Sequence, residues 1–174
     1  CIELFFTSRF IDILDTKPML CCCQTGAFDF ETKEFRDGRP DDYLSVSCGH
    51  TYDPSLLDPD KNGTILNGIR QFFHDIYPVE DTHEYVWDHL ASVLIGDACQ
   101  TFHIYWGGGS NGKTKVIELM SMAMGEYTHT VPISVICDER AKVGSVSPEV
   151  VELRAKRFGT MFEPSQKAVV EEGP

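Results

Sequence analysis

The chain has 174 residues, 42% hydrophobic and 24% charged, enough for one ordinary core or a core with a small satellite domain. Its 27 acidic residues against 15 basic ones give a formal charge of −12, which excludes a surface that coats nucleic acid throughout, because phosphate contact needs clustered Lys and Arg; a local basic channel stays open. No stretch reaches the length of a membrane span, and Cys1 opens the chain with no charged leader and apolar signal region, so an intracellular, non-secreted protein without membrane contact is expected.

In chain order, Ile2, Phe5, Phe6, Phe10, Ile13 and Leu14 keep the spacing of an amphipathic helix over residues 2–14, ended before Lys17-Pro18. From Met19 to Phe35, short β-prone runs alternate with Gln24-Thr25-Gly26 and Glu31-Thr32-Lys33. This pattern predicts a small meander of hairpins, closed by Gly38-Arg39-Pro40. Residues 51–64, with Pro54, Asp58, Pro59, Asp60, Asn62 and Gly63, form the most loop-like stretch and carry the expected domain boundary. Ile65, Ile69, Phe72, Phe73 and Ile76 then keep helical spacing up to Pro78. Asp81 and Glu84 have the form of a capping box for a second helix through Val86, Leu90, Val93 and Leu94, with Gly96 as its stop.

The run Gly107-Gly108-Gly109-Ser110-Asn111-Gly112-Lys113-Thr114 satisfies the phosphate-loop spacing G-x-x-x-x-G-K-[ST] at every specified position. Its chemistry explains its residues. Glycines let backbone N–H groups turn inward around phosphate oxygens, the lysine reaches the β/γ-phosphates, and the following hydroxyl ligates Mg²⁺. Phe102-His103-Ile104-Tyr105-Trp106 before it reads as a strand. After it, Val116, Ile117, Leu119, Met120, Met122, Ala123 and Met124 fit a largely buried helix whose N-terminus faces the phosphates. A nucleoside triphosphate with Mg²⁺ is therefore the expected ligand.

Gly125-Glu126 breaks that helix, and Tyr127 to Val135 is β-prone around Pro132. Ser147 as N-cap and Pro148 at the first helical position open a further helix whose buried face would be Val150, Val151 and Leu153. Arg157-Phe158-Gly159-Thr160-Met161-Phe162-Glu163 has the form of a Walker B strand, an apolar run ending in the carboxylate that holds the magnesium shell or polarises water. Val169-Val170-Glu171-Glu172 ranks second for that role. Lys142, Arg154, Lys156, Arg157 and Lys167 cluster late in the chain, either lining a DNA channel or forming a solvated face, with Arg157 structural at the start of the strand. The seven cysteines, at 1, 21, 22, 23, 48, 99 and 137, lack the C-x-x-C pairs of zinc sites and read as reduced thiols. Cys48 and His50 have no second ligand pair beside them.

Three blocks of sequence carry a resemblance: Thr25 to Ser45; Phe102 to Thr114, with Asn111 before Gly112; and Ser147-Pro148-Glu149 through Lys156-Arg157-Phe158 to Phe162-Glu163-Pro164. Together they resemble the poxvirus-type primase-helicases, superfamily 3 helicases of large DNA viruses with related forms in phages and plasmids. The resemblance spans about residues 20 to 165. It implies an AAA+-related core that hydrolyses ATP around a homo-hexameric ring, translocates on single-stranded DNA and works with replisome proteins in the host cytoplasm or nucleus. By motif match, Gly107, Gly108, Gly109, Ser110, Asn111 and Gly112 form the backbone cradle. Lys113 then serves the β/γ-phosphates, Thr114 the Mg²⁺, and Glu163 is the Walker B acid in the metal shell or at the attacking water.

The pattern departs at Phe162, where many relatives carry a polar or acidic partner to the Walker B acid. It also breaks off at Pro174, ahead of the family's DNA-binding hairpin, sensor and arginine finger, and ahead of the strands that flank the phosphate-loop strand. The expectation is a fragment, inactive alone, of an α/β protein with an α+β accessory region. Its parts are an accessory domain at 1–60, a helical connector at 61–100 and the first half of a P-loop core, with parallel strands and flanking helices, at 101–174. A non-catalytic nucleotide-binding or assembly module of a replisome is the alternative, and a P-loop kinase would leave the Thr25 to Ser45 block unexplained.

Overall fold

The computed structural model describes residues 9–97, 101–137 and 148–162. Its elements run α1 (Phe10–Ile13), β1 (Leu20–Cys23), β2 (Gly26–Asp29), β3 (Glu34–Arg36), α2 (Pro59–Ile76), α3 (Glu80–Val93), α4 (Lys113–Met124), β4 (Thr128–Thr130), α5 (Ser134–Cys137), α6 (Pro148–Val151) and β5 (Phe158–Thr160). The class is mixed α/β. An antiparallel sheet in the order β1-β2-β3 and a parallel pair β4-β5 make up its strands.

The meander forms as the turn residues require. Cys23 pairs with Gly26 across the Gln24-Thr25 turn, and Phe28 sits opposite both Cys21 and Phe35. In the second turn Asp29 Oδ1 accepts the amides of Glu31 and Thr32 at 3.0 and 3.3 Å, so the side chain substitutes for a backbone turn bond. Residues 48–50 extend the sheet along β1, with the Cys48 amide donating to the Cys22 carbonyl and the Gln24 amide to that of His50. A fork closes this region: Arg36 donates to both oxygens of Asp42 at 2.8 Å, and the Arg39 amide adds a third bond. Asp42 is 4% exposed, and the guanidinium holds its carboxyl down at about 2. Cys21, Cys22, Cys23 and Cys48 are free thiols. No group of three or more His, Cys, Asp or Glu suited to a metal occurs among the described residues.

The helices differ from the sequence reading at their ends. In α1, Phe10 and Ile13 are exposed, so the expected apolar face is not buried there; Ile2, Phe5 and Phe6 lie outside the described residues. The stretch read as a loop over 51–64 instead contains a short 3₁₀ turn at Pro54–Leu57 and the first turns of α2. Asp58 caps α2 by accepting the Asp60 amide, and Pro59 occupies the first helical position, where its missing N–H costs nothing. Ile65 and Ile69 are exposed, because α2 buries only its C-terminal half through Phe72, Phe73 and Ile76. For α3 the expected capping box does not form. The helix begins at Glu80 with Val79 as an uncapped N-cap, which leaves Asp81 inside the first turn as a dipole partner. Ser134–Cys137 of the β-prone stretch is helical, and Val150 and Val151 of α6 are exposed rather than buried. Ser147 lies outside the described residues.

Two cores meet on α4. Phe73, Val86 and Leu90 pack with Val116 at its N-terminal end. At the other end, Met124 packs with Cys21, Val93, Tyr127 and Phe158, and Met120 touches both groups. Tyr127 ties this second core to the meander. Its hydroxyl accepts the Cys22 amide at 2.8 Å and donates to the Val46 carbonyl at 3.1 Å. Arg157 lies over the Tyr127 ring at 4.4 Å and donates to the carbonyls of Leu20 and Leu94, so it is a structural clamp at the head of β5.

Candidate nucleotide-binding site

The segment expected as the phosphate-loop strand joins no ladder among the described residues. Its side chains still alternate. His103 and Tyr105 turn inward, whereas Phe102, Ile104 and Trp106 are 67%, 76% and 91% exposed. A strand is a shared object, needing neighbours for its N–H and C=O groups, and β-prone composition alone does not supply them. The parallel strands of the structure are instead β4 and β5, with Thr128 opposite Phe158 and Thr130 opposite Thr160.

What anchors the segment is α3. His103 stacks on His89 with ring centroids 3.6 Å apart, its Nδ1 lies 2.9 Å from the Tyr85 hydroxyl, and Tyr105 meets His89 edge-on. Burial, and then the neighbouring His103, lowers the His89 pKa, while burial pushes the Tyr105 phenol up to about 12. The Tyr77 and Tyr105 hydroxyls are buried without a hydrogen-bond partner among the described residues. The sequence reading missed this anchor. Its only trace is the pairing of Tyr85 and His89, one helical turn apart, with His103 and Tyr105, two residues apart on an extended segment.

Gly107 to Gly112 lead directly into α4, whose first residue is Lys113 and second Thr114. Gly112 is the N-cap at φ 85°, a left-handed conformation that favours glycine, and its carbonyl accepts the amides of Lys115 and Val116. A Cβ there would stand 2.8 Å from both Cδ1 and Cγ1 of Ile76, so the last turn of α2 seats the loop. Ser110 is also left-handed, at φ 57°. Among the described residues, a Cβ on Gly108 or Gly109 would meet nothing within 4 Å, and the room they leave suits an approaching phosphate. The Lys113 ammonium donates to Asn111 Oδ1 at 2.6 Å and to the Gly108 carbonyl at 3.1 Å, and Thr114 is exposed beside it. No acidic residue occupies the first turn of α4 to oppose an anion.

The downstream half of the expected site is less complete. The strand β5 covers Phe158–Thr160, Phe162 is exposed, and Glu163, Glu171 and Glu172 lie outside the described residues, as do Lys142 and Lys167. The structure thus brings Gly107 through Thr114 together as one loop and helix start.

Comparison with known proteins finds a family whose match lies ahead of this loop. Residues 3–89 match the family described as D5 N terminal like. The chain belongs to that family. This D5 N-terminal-like chain is 28% identical over 174 residues to "Putative helicase L207/L206" of Acanthamoeba polyphaga mimivirus, covering 99% of the chain and 18% of that protein. It is 31% identical over 165 residues to "Putative helicase 121R" of Invertebrate iridescent virus 3, covering 94% and 17%. With "Putative primase C962R" of African swine fever virus, isolate Tick/Malawi/Lil 20-1/1983, identity is 26% over 177 residues, covering 97% and 18%. The D5 N-terminal-like chain therefore spans less than a fifth of the length of these relatives. No helix among its described residues is long and apolar enough to cross a membrane.

Proposed function

We propose that this chain binds ATP with Mg²⁺ at Gly107–Thr114 and is the phosphate-gripping part of a superfamily 3, AAA+-type DNA helicase used in viral DNA replication. One observation carries the reading: a complete phosphate-loop motif runs into the N-terminus of α4, with Lys113 and Thr114 as the first two helical residues. Lys113 would neutralise the β/γ-phosphates and Thr114 would ligate Mg²⁺. The backbone from Gly107 to Gly112 would cradle the phosphate oxygens, and Glu163 would be the Walker B acid. The bound metal supplies charge neutralisation on the transferring phosphoryl group. The names of the relatives support a helicase or primase setting. Translocation on single-stranded DNA, a homo-hexameric ring, replisome partners and a place inside the infected cell belong to the same proposal for the full-length protein.

The test is ATP binding and ATPase turnover of the full-length protein with and without single-stranded DNA. Lys113→Ala is expected to abolish ATP binding while leaving the fold intact, because among the described residues its side chain bonds only within the exposed loop. Glu163→Gln is expected to keep binding and remove hydrolysis. ATP affinity that survives Lys113→Ala refutes the loop assignment, and unchanged turnover in Glu163→Gln moves the Walker B role to Glu171 and Glu172. Nucleotide binding without DNA-stimulated turnover in the wild type favours the non-catalytic assembly module instead.

A further inference from the structure

Lys113 does not project freely from its loop. Its ammonium is held by two neutral oxygens, Asn111 Oδ1 at 2.6 Å and the Gly108 carbonyl at 3.1 Å. Both side chains lie close over Gly107, where an added Cβ would come within 2.9 Å of Asn111 Nδ2 and 3.3 Å of Lys113 Nζ. The left-handed residues Ser110 and Gly112 flank Asn111 on either side, and Asn111 lies folded back against the start of the loop.

We propose that Asn111 is a latch, a positioning residue that keeps the Lys113 ammonium within the loop and releases it to an arriving phosphate. The chemistry favours that exchange. A polyphosphate attracts the ammonium with the Coulomb energy of opposite charges, which the neutral amide oxygen of Asn111 does not supply, so it displaces Asn111. The latch also sets the affinity. If the open loop is the binding-competent form, the apparent dissociation constant is the intrinsic one divided by the open fraction, and weakening the latch tightens binding. This inference rests on the ATP reading above, and it makes Asn111 a determinant of how readily the site fills.

The experiment compares wild type, Asn111→Ala and Asn111→Asp in the full-length protein. One readout is the rate of acylation of Lys113 by an amine-reactive ester, resolved by mass spectrometry, with Lys115, paired to Glu118, as internal reference. The other is ATP affinity by titration. Asn111→Ala is expected to speed Lys113 acylation about twofold to fivefold, the range an exposed charged contact supports, and to tighten ATP binding by a similar factor. Asn111→Asp, nearly the same shape, gives the ammonium a charged partner and is expected to slow acylation and weaken ATP binding. A purely structural asparagine would instead weaken binding in both variants, and that result overturns the latch. Equal acylation of Lys113 in all three proteins overturns it as well. If no variant binds ATP yet acylation still ranks alanine, asparagine, aspartate, the latch stands and the nucleotide assignment falls.

Discussion

Replacing Gly112 with alanine tests whether α2 seats the Gly107–Gly112 loop. Two costs add at this position. The backbone is left-handed at φ 85°, which costs a residue with a Cβ about 1–2 kcal/mol. The new methyl would also stand 2.8 Å from Cδ1 and Cγ1 of Ile76. Rotating the end of the isoleucine moves Cδ1 but not Cγ1, so the side chain or the last turn of α2 must shift, at about 1–3 kcal/mol for overpacking. Gly112→Ala is therefore expected to lower unfolding free energy by about 2–5 kcal/mol, the sum of those ranges.

A double-mutant cycle separates the terms. Ile76→Ala alone removes part of the core around Phe73 and Leu90 and costs about 2 kcal/mol. Combined with Gly112→Ala it also removes the collision, so the double variant should be about 1–3 kcal/mol more stable than the two single losses predict. Urea unfolding of the four proteins at one pH gives these numbers. Additivity to within about 0.5 kcal/mol would falsify the claim that Ile76 and Gly112 share one packing site.

Asp42→Asn tests the fork at Arg36. The native carboxyl is lowered from 3.8 to about 2, so its stabilisation is present above pH 4 and lost as pH falls from about 4 to about 2. Asp42→Asn should cost about 2 kcal/mol near neutrality, and the gap to wild type should close by pH 2; a gap that persists there means the loss is not electrostatic. Tyr127→Phe leaves the Cys22 amide and the Val46 carbonyl without their shared partner, at about 1–3 kcal/mol. Hydrogen exchange at Cys22 and Cys48 should quicken in that variant, and unchanged exchange with full stability would show that water replaces the phenol.

The glycine loop and the helix after it were more legible in the sequence than the fold around them. Gly107 to Thr114 is a local motif, in which backbone freedom, ammonium and hydroxyl are all specified within eight positions, and the helix after it follows from its own apolar spacing. The meander was equally legible, because Cys23 pairs with Gly26 across its first turn and Asp29 Oδ1 accepts amides two and three residues on in its second. Local signals misled where partners decide the outcome. Residues 102–106 have strand composition, yet a ladder needs a second segment beside them, and their stacking on Tyr85 and His89 comes from α3 instead. Pro59 reads as a loop residue alone and as a helix start once Asp58 turns its carboxylate onto Asp60.

By itself, then, the sequence determined the residues of the loop, the helix that follows it and the meander's turns, since each depends on residues within a few positions. Only the tertiary structure decided that Ile76 of α2 seats Gly112, that α3 holds the approach to the loop, and that Arg157 and Tyr127 bind the last strand to the first sheet across more than a hundred residues. Such contacts depend on where the packed core brings distant side chains, and no spacing along the chain encodes that.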